Sequence, residues 1–162
     1  MRPSTSADQM PRAANPGPLS PACACGRLRR AARAMTQFYD DAIAPAGLHL
    51  TQFSLLLTLA RHGPARITDL ARRQLLDRTA MSRNLDPLVE RGLVSIEPGR
   101  DARTRVAALT RAGTAALDAA LPHWKHAQAQ VARRLGTSKL DALITLLAEV
   151  EQLHPDRGDP AR

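Results

Sequence analysis

A short run of small polar and basic side chains begins at Arg78 and has the types and spacing of groups that bond to phosphates or base edges. Within a helix, Thr79, Ser82 and Arg83 share one face, because residues three and four positions apart lie side by side. Arg can make two parallel hydrogen bonds to guanine, and hydroxyls can bond to bases or phosphates. We therefore predict that double-stranded DNA is contacted by Arg78, Thr79, Ser82 and Arg83.

A second charged cluster follows a stretch of turn residues, Glu97 to Ala102. It contains Arg100, Arg103 and Arg105, and strand alternation would place Arg103 and Arg105 on one face of a hairpin. Asp101 alone would repel phosphate. Paired with Arg103, however, it could orient that guanidinium for insertion into a minor groove. We predict that this hairpin also contacts DNA.

The net charge of +8 is concentrated in the centre of the chain. Residues 61–111 contain eleven arginines and six acidic residues, a net charge of +5, whereas Lys occurs only at positions 125 and 139. A GC-rich genome could explain the preference for Arg over Lys, but it does not explain the clustering. A positive surplus favours polyanionic partners.

Cys23 and Cys25 are candidates for redox sensing, because they lie at the start of a predicted helix that is followed by several arginines. A helix N-terminus and nearby cations favour the thiolate, which is the reactive form. Two cysteines this close make poor disulfide partners, so a bond to another subunit or a small thiol is favoured. His123 and His126 could join them in a zinc site, although exposed or packing histidines are the simpler interpretation.

Helical periodicity covers most of the chain. The predicted helices run over about 26–44, 51–62, 68–75, 78–91, 111–135 and from 137 onwards. The predicted N-caps are Thr51, Thr68, Asp77, Thr110 and Thr137. Two short strands, around Leu93–Ile96 and Arg103–Leu109, form a hairpin between the fourth and fifth helices. The fold class is therefore mostly α with a small β-wing: a winged helix-turn-helix region at about 48–110, joined to a helical dimerisation region.

The two ends of the chain have a different character. Residues 1–22 are rich in Pro, Ser and Ala without apolar periodicity, which predicts a disordered arm. Residues 154–162 are predicted to fray. Between them, residues 23–153 are expected to form one domain, whose dimerisation helices lie at about 26–44 and 111–153.

Several protein classes fit poorly. The chain has no GxSxG, HExxH, P-loop or Rossmann glycine pattern, so we expect no enzyme and no cofactor. It has no apolar run of about 18 residues, so we expect no membrane-spanning helix. Two cysteines cannot build a disulfide scaffold, which favours a cytoplasmic protein. A winged-helix adaptor that binds protein instead of DNA stays an alternative.

Five motifs resemble the MarR (multiple antibiotic resistance regulator) family. They are Ile67-Thr-Asp-Leu-Ala, Asp77-Arg-Thr-Ala-Met-Ser-Arg, Leu88-Val-Glu-Arg-Gly-Leu-Val, Asp101-Ala-Arg103 and Leu109-Thr-Arg-Ala-Gly113. The resemblance spans roughly residues 27–153. It implies a dimeric transcription regulator in which Thr79, Ser82 and Arg83 face the major groove, and Arg103, steadied by Asp101, enters the minor groove. It also implies that the first helix and the last two build the dimer interface.

A homodimer is expected from the residues as well. The first and the last two helices have apolar faces that one small winged helix cannot cover, and symmetric pairing would bury them. Pairing would also set two recognition helices about 34 Å apart, which requires a pseudo-palindromic DNA site. We expect a repressor that a small-molecule or thiol-oxidising signal releases from DNA, with a zinc-sensing regulator as an alternative.

Overall fold

The computed structural model describes residues 23–99, 101 and 104–154. The predicted N-terminal arm, 1–22, lies outside the described residues. So do residues 155–162 of the predicted tail, and so do Arg100 and Arg103 of the wing.

The chain divides into two units, residues 1–35 and residues 36–162. Helix α1, Ala24–Ile43, begins in the first unit and ends in the second. Pro45 and Gly47 end it as expected, because a 3₁₀ turn at Ala44–Ala46 leads to a left-handed Gly47 with φ of 68°.

The second unit continues with helices and short strands. In chain order they are α2 (Leu50–His62), β1 (Ala65–Arg66), α3 (Ile67–Arg73), α4 (Arg78–Glu90), β2 (Val94–Pro98), β3 (Arg105–Leu109), α5 (Arg111–Leu135) and α6 (Thr137–Glu151). The predicted order of four helices, a hairpin and two helices is confirmed, and so is the mostly helical winged class. The two-residue strand β1 was not predicted.

The sheet has three antiparallel strands in the order β1-β3-β2. Strand β3 is central: Val94 pairs with Leu109 at one end of the hairpin, and Pro98 pairs with Arg105 at the other. On its other edge, β3 pairs with β1 through Arg66 and Val106. The wing is thereby hydrogen-bonded to the strand that leads directly into α3.

The core of the second unit combines side chains from α2, α3, α4, the sheet and α5. Helical spacing predicts that Met81, Leu85, Leu88 and Val89 form the inner face of α4. The prediction is confirmed for Met81, Leu85 and Leu88, which are fully buried. Val89 was assigned to the same face but is 37% exposed. Burial of the three larger side chains fixes which face of α4 points outwards.

Three predicted N-caps are wrong, and two are confirmed. The residues at the N-cap positions of α2, α3 and α6 are His49, Arg66 and Gly136, each one or two residues before the predicted threonine. Asp77 and Thr110 do cap α4 and α5 with their side chains. A threonine close to a helix start satisfies the same sequence pattern without making the bond.

Within the described ranges, no single helix combines the length and the apolar character needed to cross a membrane. The bent pair Ala24–Ala46 and Leu50–His62 meets that test by length and composition together.

Candidate nucleic-acid interface

The outward face of α4 carries the side chains that sequence reasoning selected for DNA. Arg78, Thr79 and Arg83 are exposed and Ser82 is partly buried. Their helix starts at a firm cap, because the Asp77 carboxylate accepts a hydrogen bond of 2.8 Å from the Ala80 amide. Such a cap typically contributes about 1 kcal/mol to helix stability. The first turn of α4 is thus held in place while its polar face stays open.

A tight turn sets α4 against α3. The Leu76 amide donates to the Ala71 carbonyl at 2.9 Å, which closes the end of α3. Leu75 adopts a left-handed conformation with φ of 53°. That conformation is uncommon for residues other than Gly and Asn, so the turn is strained locally and is held by the packing of both helices.

Pro87 lies inside α4 and does not end it. A proline lacks the amide that would bond to the carbonyl of Arg83, so a helix that continues with a bend or a loosened turn is the expectation from the sequence. The helix nevertheless continues to Glu90, and Leu85 and Leu88, on either side of the proline, are fully buried. Packing of these side chains compensates for the missing hydrogen bond.

The wing tip is closed by backbone bonds. The Gly99 amide donates to the Thr104 carbonyl at 2.8 Å, and the Thr104 amide donates to the Asp101 carbonyl at 2.8 Å. Asp101 and Arg105 are exposed. The proposed pairing of Asp101 with Arg103 involves a residue outside the described part of the chain, so it stays a prediction.

Arg78 and Arg105, which lie far apart in sequence, line one small cavity of about 120 Å³. The cavity is also lined by Arg66, Thr68 and Thr104, which sequence reasoning did not select. The only available signal for Arg66 was its place in the basic central segment. None of the three arginines forms an ion pair with any residue that the structure describes.

A larger cavity of about 650 Å³ also has Arg66 and Thr104 in its lining. It is lined by charged side chains that include Arg72 and Arg73 of α3, together with Arg66 and Asp69. Asp69 is 3.4 Å from the Arg72 guanidinium, which partly neutralises this cavity. The basic surface therefore extends from α4 past Thr104 and Arg105 of the wing to α3.

The junction between the wing and α5 explains why the motif Leu109-Thr-Arg-Ala-Gly113 has threonine and glycine at these positions. The Thr110 hydroxyl donates to the Gly92 carbonyl at 2.7 Å and accepts from the Gly113 amide at 3.0 Å. A Cβ on Gly113 would lie 2.0 Å from the Leu93 carbonyl oxygen, so only glycine fits. The motif thus joins the end of β3, the turn after α4 and the start of α5.

The remaining candidate residues lie elsewhere. Cys23, just before α1, and Cys25, in its first turn, are free and exposed thiols. His123 is partly buried and His126 is exposed on α5. Among the described residues, no group of three His, Cys, Asp or Glu side chains is placed to hold a metal ion.

Comparison with protein families gives one match. The sequence model of the MarR family matches residues 46–104, which include α2, α3, α4 and the first strand of the wing. No protein of curated function matches the chain in sequence.

Solved structures resemble the chain over most of its length. The M. tuberculosis transcriptional regulator MosR in complex with DNA is 37% identical, with 82% of this chain and 98% of that chain covered and a TM-score of 0.71. A probable transcriptional regulator from Pseudomonas aeruginosa is 26% identical, with coverages of 80% and 97% and a TM-score of 0.72. The transcriptional repressor CouR bound to a 23-mer DNA duplex is 28% identical, with coverages of 77% and 89% and a TM-score of 0.71.

Proposed function

Because this chain belongs to the MarR family of DNA-binding transcription regulators, we propose that it is a homodimeric repressor of a pseudo-palindromic operator. One observation carries this proposal: Arg78 and Arg105 line the same cavity, beside the exposed polar face of α4. A helix is about 10–12 Å across and fits a major groove about 12 Å wide. Thr79, Ser82 and Arg83 would then face the bases.

The wing supplies the second contact. Arg100, Arg103 and Arg105 would follow the DNA backbone or enter the adjacent minor groove, with Asp101 orienting Arg103. Two relatives, MosR and CouR, have been solved in complex with DNA, which supports this use of the surface. A regulator of transcription works beside the chromosome, so we also propose a cytoplasmic protein.

Helix α6 supports the dimer. None of its residues is buried within the chain, although Leu143, Ile144, Leu147 and Val150 follow one face at helical spacing. A continuous apolar face of this kind marks an interaction surface. Since oligomers are mostly symmetric pairs, we assign this face to a second copy of the chain.

The test of DNA binding uses a duplex that the full chain selects from a random pool. We expect the selected sequence to be an inverted repeat with half-sites about one helical turn apart. We also expect affinity to fall steeply as salt rises, because each neutralised phosphate releases counterions. A chain that shows no salt-dependent affinity for any duplex would instead be a protein-binding adaptor.

The releasing signal is a small molecule or oxidation of the exposed thiols. The relative CouR has been solved bound to p-coumaroyl-CoA as well as to DNA, which supports small-molecule control. For oxidation, a hydroperoxide would convert Cys23 or Cys25 to a sulfenic acid and leave an alcohol. A thiol of the other subunit or of a small molecule would then form the disulfide and release water.

The oxidation step is tested with the Cys23→Ser, Cys25→Ser double variant. We expect a hydroperoxide to release wild-type protein from its operator and a dithiol reductant to restore binding. The double variant should stay bound under the same treatment. Release of the double variant by hydroperoxide would exclude both thiols as the sensor and leave the small-molecule signal.

A further inference from the structure

We propose that Arg66, Arg78 and Arg105 form a phosphate-binding site that holds the DNA backbone. The site lies beside the reading face of α4, the exposed polar face that carries Thr79, Ser82 and Arg83. The inference rests on the proposed function and deepens it. It adds Arg66 and the hydroxyls of Thr68 and Thr104 to the interface, and it assigns this site to backbone positioning, not to base reading.

Three different elements bring the arginines together. Arg66 ends β1, where it pairs with Val106 of β3, and Arg105 directly precedes Val106. Arg78 is the first residue of α4. The pairing of β1 with β3 and the turn between α3 and α4 thus fix all three backbones, so the site is largely formed before any ligand arrives.

The size of the cavity favours a phosphate group. Its volume of about 120 Å³ is well below the range of about 300–1,000 Å³ that small-molecule sites usually have. The lining offers guanidinium donors and the hydroxyls of Thr68 and Thr104. Charged donors of this kind form short, strong hydrogen bonds with phosphate oxygens, and Arg does so in a forked geometry.

The charged side chains that the structure describes around the cavity are all positive. Among the described residues that line the cavity, none has an acidic side chain, and none of the three arginines is paired with a described acidic residue. Three neighbouring cations repel one another, and a bound anion offsets that repulsion because it attracts all three side chains. Because all three side chains are exposed, a polyanion can reach them directly.

Groove geometry identifies the anion as a DNA phosphate. When α4 occupies a major groove of nearly its own width, groups at the side of its first turn meet the strand at the groove edge. Arg78 occupies that position, and Arg66 and Arg105 lie across the same cavity. Contacts to phosphate fix the register of a protein on DNA without reading the sequence.

A free phosphate-bearing molecule has the same chemistry and is the competing source of the anion. The neighbouring cavity of about 650 Å³ shares Arg66 and Thr104 and could hold the remainder of such a molecule. That cavity, however, does not include Arg78, so a molecule held there would leave the cation at the start of α4 unused. We therefore assign the small cavity to DNA.

The first test compares Arg66→Gln with Arg91→Gln in the full-length protein. Both substitutions remove one exposed positive charge, but Arg91 follows the opposite end of α4. For Arg66→Gln we expect the slope of log K against log salt to become shallower by about 0.9 for each lost phosphate contact. Operator and random DNA should lose affinity by similar factors. A slope equal to that of Arg91→Gln would overturn the proposal.

The second test locates the phosphate. Methylphosphonate groups replace single phosphates of the selected duplex one at a time, and affinity is measured for wild type and for Arg66→Gln. In each half-site we expect one position where removal of the phosphate charge weakens DNA binding by the wild type. At that position, Arg66→Gln should lose no further affinity. Equal losses in both proteins at every position would contradict the site.

A third arm separates the two sources of phosphate. Inorganic phosphate is titrated into DNA-free protein at constant ionic strength. If Arg66→Gln loses phosphate binding but keeps the wild-type DNA affinity and salt slope, the site serves a free anion and our assignment is wrong. If the wild-type protein binds no duplex at low salt, the proposed function itself fails, whereas wild-type binding with an unaffected variant refutes this site alone.

Discussion

Arg83 and Arg78 belong to the same helix, and at the scale of the residue we expect them to act differently. Arg83 lies on the exposed face with Thr79 and is not among the residues that line either basic cavity, whereas Arg78 lines the small one. We place Arg83 over base edges and Arg78 beside phosphate. A base contact provides discrimination, and a phosphate contact provides affinity for any sequence.

We predict that Arg83→Ala weakens operator binding by about 1–3 kcal/mol and leaves random-sequence binding less affected. The measurement is a pair of titrations, one on the selected duplex and one on a scrambled duplex. Arg78→Ala is the matched control, for which we expect similar losses on both. Equal losses for Arg83→Ala would place Arg83 on the backbone instead.

Tyr39 is the only tyrosine of the chain, and its burial raises the pKa of the phenol above its usual 10.0. Its hydroxyl donates to Oε1 of Gln128 on α5. A raised pKa means that the folded protein keeps the proton longer than the unfolded chain does. The contribution to stability is therefore present below pH 10 and is lost as pH rises through the folded-state pKa.

We predict that Tyr39→Phe lowers the free energy of unfolding by about 0.5–1.5 kcal/mol at neutral pH, because Gln128 loses its donor. Above pH 10, the stability of the wild type should decline more steeply than that of the variant. Urea unfolding at several pH values tests both points, and tyrosinate absorbance reports the single phenol directly. Parallel pH profiles would show that the phenol ionises alike in both states.

Residue types made part of the candidate interface predictable. Arg and small hydroxyl side chains at helical spacing identified the outer face of α4, since that pattern depends on neighbours along the chain. Arg66 was not selected, because its place beside the cavity depends on a strand pairing between β1 and β3 that two residues cannot encode. Leu75 was also unpredictable: leucine rarely adopts a positive φ, and only the packing of α3 against α4 imposes it here.

At the scale of elements, the wing is joined to the helical scaffold at Thr110 and Gly113. Thr110 caps α5 and at the same time bonds to the turn that follows α4. The helix ends at Gly92 and Gly136 were predictable, because glycine readily adopts the positive φ that closes a helix. Both residues have a positive φ in the structure. The close approach of Gly113 to the Leu93 carbonyl was not, because the motif gives the residue type without the contact.

We predict that Gly113→Ala destabilises the protein by about 1–3 kcal/mol, because the new methyl group would overlap the Leu93 carbonyl. Helix propensity alone would favour alanine by about 1 kcal/mol. The control is Gly26→Ala in α1, where the nearest atom to a new Cβ is 3.9 Å away, so only the propensity gain is expected there. Thermal unfolding measures both, and a Gly113→Ala variant as stable as wild type would contradict the contact.

At the scale of the whole molecule, the sequence indicates more apolar surface than the second unit buries. Residues of α5 such as Leu117, Ala120 and Val131 join the core, but Ile144 and Leu146 of α6 stay 53% and 58% exposed. Periodicity predicted the apolar face of α6 correctly. It could not say whether that face packs within the chain or against a second copy, because both arrangements require the same pattern.

The apolar face of α6 allows a direct test of the dimer. We expect Ile144→Glu to shift the protein from dimer to monomer in sedimentation, since a charge inside an apolar symmetric interface appears twice and is left unpaired. The helical circular dichroism should be retained, because the side chain is exposed within one chain. Affinity for the inverted repeat should fall towards that for a single half-site. Thr145→Glu places the same charge on the opposite face of α6 and should stay dimeric. A dimeric Ile144→Glu protein with intact operator binding would show that the two copies meet elsewhere.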